Sequence, residues 1–240
     1  MSISVLMYHQ IGNFSKIKSH RSTYCRWKRF RSQMWFLKFF GYNVISIDSL
    51  LNIIKKNSFL KKRTVVLTFD DGYANFYKYA YPILKKYNFP CIVYVLSNLI
   101  GSRAIWFKKE GREDPPLLTK EQILVLKNKG VDFGSHGRNH VKLAQVPLEI
   151  ASEEIKKSKI ELEEMLGFEI DHFCYPYGSL NKDVKDIVKQ AGYKSGVSCY
   201  RGAVYPGVDP FEIPRKAISF GDNLIGFFWK LEFKNRLKKE

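Results

Sequence analysis

Two patterns of apolar positions alternate along the chain. Short runs that are almost entirely apolar or β-branched predict strands that are buried on both faces. Between these runs, apolar residues recur at helical spacing and are often followed by glycine, which predicts amphipathic helices. Strands are predicted at residues 4–8, 44–47, 64–69, 91–96, 131–133, 172–175, 195–199 and 211–218. Helices are predicted at residues 27–40, 50–54, 77–86, 119–130, 148–166, 182–190 and 224–237.

The alternation of strands and helices predicts an α/β fold with a parallel sheet, because parallel strands need a crossover connection. This many units in a single domain favour an α/β barrel or a close variant, whose chemistry lies at the carboxyl ends of the strands. No linker rich in Pro, Gly or Ser divides the 240 residues, and no internal repeat is visible. We therefore predict one catalytic domain at residues 1–222, followed by a basic amphipathic helix at residues 223–240.

The charge is strongly unbalanced, with 40 Lys and Arg against 23 Asp and Glu and a net charge of +17. Such a balance favours an anionic partner, which can be membrane headgroups, a charged glycan or nucleic acid. No nucleic-acid-binding motif accompanies the charge, so we expect no nucleic acid partner. The alternative is a lysine-rich surface that is simply solvated.

The compartment is predicted from three features. A secretory signal needs a basic start and an apolar run of about 7–15 residues, whereas Tyr8 and His9 end the first apolar stretch early. No apolar segment approaches the roughly 20 residues that span a bilayer. The four cysteines have neither CxxC spacing nor a compact disulfide pattern, which favours reduced thiols. We expect a cytoplasmic protein.

The first polar cluster is Thr68-Phe69-Asp70-Asp71-Gly72-Tyr73, directly after the predicted strand 64–69. Two adjacent carboxylates at a strand end crowd negative charge into one place. The arrangement becomes favourable if a cation neutralises one carboxylate and leaves the other as a base. The alternative is a simple turn, since Asp-Gly is a common turn dipeptide.

The second cluster is Ser135-His136-Gly137-Arg138-Asn139-His140, which also follows a predicted strand. Two imidazoles four residues apart can converge on one metal ion if the segment turns as a helix does. Gly137 and Asn139 suit an irregular turn better than a regular helix. The alternative is a polar surface loop.

The third cluster is Phe173-Cys174-Tyr175-Pro176-Tyr177-Gly178, again at a strand end. Pro176 and Gly178 restrict the backbone on either side of Tyr177. The segment can wall a sugar site and offer a backbone N–H to an oxyanion. Taken alone, it is equally explained as a turn with an aromatic plug.

Taken together, TFDDGY, SHGRNH and CYPYG resemble, in order and spacing, the motif series of the polysaccharide deacetylases. This is the NodB-homology family, carbohydrate esterase family four. The resemblance spans most of the chain and implies that family's distorted (β/α) barrel. It also implies removal of the N-acetyl group from an acetamido sugar such as N-acetylglucosamine. The substrate would be a saccharide or a lipid-linked glycan used in cell-surface polysaccharide biosynthesis.

The same resemblance assigns roles to the clustered residues. Asp70 would be the general base, and Asp71, His136 and His140 would bind a divalent metal ion. This mixed set of nitrogen and oxygen ligands suits Zn²⁺ and also accommodates other divalent metals. The metal would polarise the acetyl carbonyl and acidify a water molecule, and the Tyr177 N–H would help to hold the oxyanion.

Three further residues are predicted to contact the substrate. Tyr73 and Pro176 belong to the two motifs that would surround the sugar. Trp106 lies in a predicted loop, where it can stack on a sugar ring or anchor the loop.

The chain departs from the family pattern at two points. The family has an arginine where this chain has Cys174, and Arg215 is our candidate for the base-orienting role. No histidine follows His172, so the usual source of the general acid is missing. The segment LMYHQI at residues 6–11 resembles the biofilm poly-N-acetylglucosamine deacetylases, in which an early histidine supplies the acid. His9 is therefore predicted as the general acid, and a purely structural histidine is the alternative.

The predicted helix at residues 223–240 combines bulky aromatic residues with several lysines. Such a helix can lie in a membrane interface or pack its aromatic face on the barrel, and both remain open. Interfacial binding would bring the protein to the inner face of the cell membrane. Two other functions remain open, which are hydrolysis of another amide or imide and glycan binding without catalysis.

Overall fold

The computed structural model describes residues 2–17, 19–57, 63–110 and 114–239. Its strands are β1 (Ile3–Tyr8), β2 (Gln10–Gly12), β3 (Tyr24–Arg26), β4 (Asn43–Ile45), β5 (Thr64–Phe69), β6 (Ile92–Val95), β7 (Asp132–Ser135), β8 (His172–Cys174), β9 (Ser195–Arg201) and β10 (Ile213–Ala217). Its α-helices are α1 (Trp27–Phe39), α2 (Ile47–Lys55), α3 (Tyr81–Tyr87), α4 (Lys120–Lys127), α5 (Leu148–Leu166), α6 (Lys182–Gln190) and α7 (Leu224–Phe233). The predicted domain at residues 1–222 and the predicted helix at residues 223–240 are not described in full. The residues outside the described part are 1, 18, 58–62, 111–113 and 240.

Seven parallel strands form a closed barrel in the order β1, β5, β6, β7, β8, β9, β10. The ring closes because β1 pairs with β5 along one edge and with β10 along the other. The strand β4 pairs with the first half of β5, and β6 pairs with the second half. The predicted α/β barrel is confirmed, and its irregularity lies at this shared edge of β5.

Strands β1 and β5 are buried at all six positions, which explains why their sequences are continuous apolar runs rather than alternating ones. Val5 and Val66 belong to an apolar cluster inside the barrel. Their neighbours Leu6 and Leu67 belong to the larger cluster between the barrel and the helices. The core therefore has two layers, separated by the sheet.

Most predicted elements are found close to their predicted positions, and α5 and α6 have the predicted bounds. The start of α4 has a capping box, in which the Thr119 and Gln122 side chains each accept the other's backbone N–H. The predicted helix at 77–86 differs, since a π-helical turn (Phe76–Ala80) precedes α3. The short parallel pair β2 and β3 was not predicted, because three residues are too few to display a period.

The last helix is shorter than predicted. It ends at Phe233, and the following backbone pairs with the end of β9, where the Arg201 N–H donates to the Lys238 carbonyl. Among the described helices, none has both the length and the apolar character needed to cross a membrane. All four cysteines are free thiols.

Candidate active site

The three polar clusters meet at the carboxyl ends of the barrel strands. Asp70 and Asp71 follow β5, His136 follows β7, and Cys174 is the last residue of β8. His9 follows β1. Parallel strands in a barrel bring such positions to one end, which is why segments far apart in sequence form one site.

Asp71, His136 and His140 form a buried group whose ligand atoms all lie within 4.8 Å of one another. The Asp71 Oδ1 atom is 3.1 Å from His136 Nε2 and 3.3 Å from His140 Nε2. His136 Nδ1 lies 2.7 Å from the Cys174 carbonyl oxygen, which orients its Nε2 towards the carboxylate. Such a contact is the usual way in which a metal-binding histidine is held.

The donor atoms fit a metal ion. Asp71 Oδ1 and His140 Nδ1 are buried and have no hydrogen-bond partner among the described residues. An unpartnered buried carboxylate oxygen is unfavourable, and a cation among the three side chains would remove that cost. Burial alone raises the pKa of Asp71, but the nearby His140 and His136 hold this pKa well below its usual value. The carboxylate is therefore ionised, as a metal ligand must be.

The backbone at these ligands is unusual. Asp71 has φ +70° and His140 has φ +60°, both in the left-handed region that non-glycine residues rarely adopt. Gly72 follows with φ +67°, and a Cβ atom there would lie 2.8 Å from Val95 Cγ1. The turn after β5 therefore needs glycine to bring Asp71 against the histidines.

Asp70 is held by an arginine from β10, which is separated from β5 only by β1. The Arg215 guanidinium donates to both carboxylate oxygens at 2.7 and 2.8 Å, and to Thr68 Oγ1 at 3.0 Å. Burial raises the pKa of Asp70, but the paired guanidinium outweighs it and holds the pKa below its ordinary value. His9 Nε2 lies 3.8 Å from Asp70 Oδ2. The candidate base thus carries a fixed orientation and a negative charge.

Two aromatic rings flank the third candidate ligand. The His140 ring lies 4.2 Å from the Trp106 ring and 4.4 Å from the Tyr177 ring, measured between centroids. Tyr177 is half exposed, with φ +57°, in the short turn Pro176–Gly178. Pro176 is buried, and Tyr73 is buried behind Trp106 with its ring centroid 6.3 Å away. Trp106 and Tyr177 therefore border the site, whereas the substrate-contact roles of all four residues stay predictions.

Comparison with known proteins agrees with this geometry. Residues 58–196 match the family model described as polysaccharide deacetylase. The poly-β-1,6-N-acetyl-D-glucosamine N-deacetylase of Staphylococcus epidermidis is 30% identical over 80% of this chain and 67% of its own length.

The chain belongs to the polysaccharide deacetylase family. Solved structures support this assignment. The Streptococcus pyogenes deacetylase PplD, determined in complex with acetate, superposes with a TM-score of 0.82 at 26% identity over 97% of this chain and 99% of its own. IcaB from Ammonifex degensii shares the fold, with a TM-score of 0.79 at 22% identity over 96% and 97% of the two chains. By its family, the chain is a polysaccharide N-deacetylase. Members of this family are metal-dependent hydrolases.

In this deacetylase, Cys174 stands where the family has an arginine. Its side chain is small, and its Sγ atom lies 3.3 Å from Arg215 Nη2, so the guanidinium from β10 passes the thiol and reaches the Asp70 carboxylate. The predicted base-orienting role requires this pairing of Arg215 with Asp70. The roles of Arg215 and His9 in this deacetylase stay predictions.

Glu154 is a residue of the site that the sequence did not reveal. It is buried on α5, and its carboxylate accepts hydrogen bonds from the backbone N–H groups of Arg138 and Asn139 and from the Asn139 side chain. It therefore fixes the loop between His136 and His140. The available signal was a carboxylate on the apolar face of α5, between Ala151 and Ile155.

Proposed function

We propose that this deacetylase uses Zn²⁺ to hydrolyse the N-acetyl group of an acetamido sugar, such as N-acetylglucosamine, in a lipid-linked glycan. The observation that carries the proposal is the buried Asp71–His136–His140 group beside an arginine-paired Asp70. The set of two imidazoles and one carboxylate is typical of catalytic zinc sites, which keep further positions open for water and substrate. We place the reaction in cell-surface polysaccharide biosynthesis.

The side chains support a direct hydrolytic route. A zinc ion bound by Asp71, His136 and His140 would polarise the acetyl carbonyl and lower the pKa of a water molecule to about 7. Asp70 would accept the proton that the attacking water molecule loses as the water oxygen bonds to the carbonyl carbon. Arg215 keeps the Asp70 carboxylate ionised and oriented, and the Tyr177 N–H donates to the developing oxyanion.

Breakdown of the amide needs a proton on the departing nitrogen. His9 follows β1 and lies beside Asp70, so it is our candidate acid. As the C–N bond breaks, the nitrogen takes this proton, and acetate and a free amino sugar are released.

A cation-lined cavity supports a substrate that carries a negative group. It has a volume of about 250 Å³ and adjoins the site through Arg215 and Cys199. Its other charged lining residues are Arg201, Lys216, Lys230 and Lys234. Lys230 pairs with Asp222 and Arg215 with Asp70, and no acidic side chain is among the described residues that line the cavity. A phosphate that links a sugar to a carrier lipid has the complementary charge.

The test is acetate release by the purified protein with added Zn²⁺. The substrates are N-acetylated saccharides in free, nucleotide-linked and lipid-linked forms. We expect acetate from the lipid-linked form in particular, none after chelation, and none from Asp70→Asn. Acetate released from the free sugars alone would rule out the lipid-linked glycan as the substrate. Bound metal without acetate from any sugar would favour another amide or imide, and neither metal nor acetate would favour a glycan-binding protein without catalysis.

We also propose that the enzyme works in the cytoplasm at the inner face of the cell membrane. Four free thiols support a reducing compartment. The high positive charge supports attraction to anionic lipids. Cell fractionation with and without high salt tests this, and recovery in the outer medium would contradict it.

A further inference from the structure

The helices α1 and α7 pack side by side on the outside of the barrel and present an unusual surface. Every Phe and Trp side chain among the described residues that is more than a third exposed lies on these helices or on the residue after α1. These side chains are Trp35, Phe39, Phe40, Phe228, Trp229 and Phe233. With Ile225, which is 78% exposed, they form what we call the aromatic surface.

The aromatic surface is continuous across the two helices. On α1, the Trp35 and Phe39 rings stack with centroids 5.0 Å apart, and Phe39 contacts Phe40 at 5.0 Å. Phe36 lies between the helices, 4.4 Å from Phe40 and 6.2 Å from Phe228. On α7, the rings of Trp229 and Phe233 stack at 4.4 Å, and those of Phe228 and Phe233 meet at 6.1 Å.

Packing of α7 on the barrel does not account for these residues. Phe227 and Leu231 form the buried face of α7, and Phe227 contacts Phe36 of α1 at 6.0 Å. Trp229 and Phe233 are more than half exposed on the outer side of the same helix. Monomeric proteins rarely expose apolar patches of this kind unless the patch binds something.

The charge around the aromatic surface indicates what binds. The first acidic residue of the whole chain is Asp48, whereas α1 carries Lys28, Arg29, Arg31 and Lys38. Residues 234–239 after α7 add Lys234, Arg236, Lys238 and Lys239. The one acidic residue of α7, Glu232, accepts a hydrogen bond from Tyr42 and lies 3.6 Å from Arg63.

We propose that the aromatic surface is the site at which this protein docks on an anionic lipid bilayer, with α1 and α7 lying along the interface. Bulky aromatic side chains favour the boundary between headgroups and acyl chains, and flanking Lys and Arg attract anionic headgroups. A second copy of the chain is disfavoured as the occupant, because it would bring two sets of basic side chains together. The docking deepens the proposed function, since it brings the active site to a lipid-linked glycan.

The test is cosedimentation of the full-length, zinc-loaded protein with vesicles. One set contains phosphatidylcholine alone, and the other contains phosphatidylcholine and phosphatidylglycerol in equal parts. We expect binding to the anionic vesicles that high salt weakens. Trp35→Ser with Phe39→Ser and Trp229→Ser should reduce this binding by about tenfold or more. Because these side chains are exposed, the triple variant should unfold at the wild-type temperature.

The matched control replaces Leu148, Ile150 and Ile160 of α5 by Ser, since these residues are similarly exposed but lie outside the aromatic surface. This variant should bind vesicles as the wild type does. A second variant, Arg31→Glu with Lys38→Glu, leaves the aromatic rings in place and should lose the preference for anionic vesicles.

Three outcomes would overturn the docking proposal. They are equal loss of binding in the α5 control, no vesicle binding by the wild type, and a concentration-dependent dimer that the aromatic triple variant abolishes. Acetate release from a soluble saccharide is measured in parallel and should be unchanged in all variants. A failure of vesicle binding with intact acetate release would reject the docking surface alone, whereas binding without acetate release would reject the proposed catalysis alone.

Discussion

Two adjacent residues of β10 have side chains on opposite sides of the sheet, one inside the barrel and the other outside it. Arg215 points inward and pairs with Asp70, whereas Lys216 points outward beneath α7. Both side chains are almost completely buried. Burial lowers the pKa of either cation, but Asp70 reverses the effect for Arg215 and raises its pKa well above the ordinary value. Lys216 has only neutral acceptors, and its pKa is lowered to about 8.

The contrast shows that a partner of opposite charge can outweigh the effect of burial on the pKa of a buried group. The Lys216 ammonium donates to Ser4 Oγ at 2.9 Å, to the Leu231 carbonyl at 2.8 Å and to Asn235 Oδ1 at 2.7 Å. These bonds tie β10 to β1 and to α7. The inner cation serves the candidate base, and the outer cation fixes the helix that carries part of the aromatic surface.

Replacing the inner cation should have the largest effect. We expect Arg215→Met to lower kcat by about a hundredfold or more, since it removes the group that orients the candidate base. The variant should also lose roughly 3–5 kcal/mol of stability, because it leaves Asp70 buried and unpaired. Acetate release and chemical denaturation measure the two effects. Metal content should be unchanged, and loss of metal would mean that Arg215 supports the ligands instead.

Removing both partners of the inner pair should separate stability from activity. Asp70→Asn combined with Arg215→Met no longer buries an unpaired charge, so the free energy of unfolding should recover by about 2 kcal/mol relative to Arg215→Met. Acetate release should remain absent. If the double variant is no more stable than Arg215→Met, the pairing does not explain the cost of the single substitution.

The outer cation, Lys216, should affect the pH dependence of stability. Because its pKa is about 8 in the folded chain and near 10.5 when unfolded, the unfolded chain binds more protons between these values. The contribution of Lys216 to the free energy of unfolding is therefore lowest below pH 8 and rises as the pH increases towards 10.5. Relative to Lys216→Met, the wild type should gain about 2 kcal/mol between pH 8 and pH 10. Denaturation at several pH values measures this, and parallel curves for the two proteins would contradict it.

The smallest effect is expected for the Cys174 thiol, which lies beside Arg215. Cys174→Ser keeps a small side chain beside Arg215, so kcat should change by less than about threefold. Steady-state acetate release with the chelated protein as background provides the measurement. A loss comparable to that of Arg215→Met would show that the sulfur itself holds the guanidinium in place.

Much of the architecture could be predicted because its signals are local. The buried runs at β1 and β5, the caps of α4 and the amphipathic pattern of α6 are all written in neighbouring residues. The candidate metal-binding group could also be predicted, since its three residues come from two motifs, each of which directly follows a barrel strand. Their convergence rests on the parallel order of the strands.

Other parts depend on contacts between distant segments. Glu154 was missed because its partners, Arg138 and Asn139, lie sixteen and fifteen residues away, outside α5. The joining of α1 and α7 into one surface was missed because Phe36 and Phe228 are far apart in sequence. The sequence left two alternatives open for α7, which are packing on the barrel and contact with a membrane. Packing describes one face of the helix, and membrane contact remains a proposal for the other face.

The sequence by itself determined the family and the barrel class and singled out the candidate metal-binding group, because motif order and apolar periodicity can be read without knowledge of the fold. Only the tertiary structure decided which cation serves Asp70 and which one lies beneath α7. Arg215 and Lys216 differ by one position on a strand, and alternation sends successive side chains to opposite faces. The closure of the barrel decides which partners lie on those faces. They are a carboxylate on the inside and neutral oxygens on the outside.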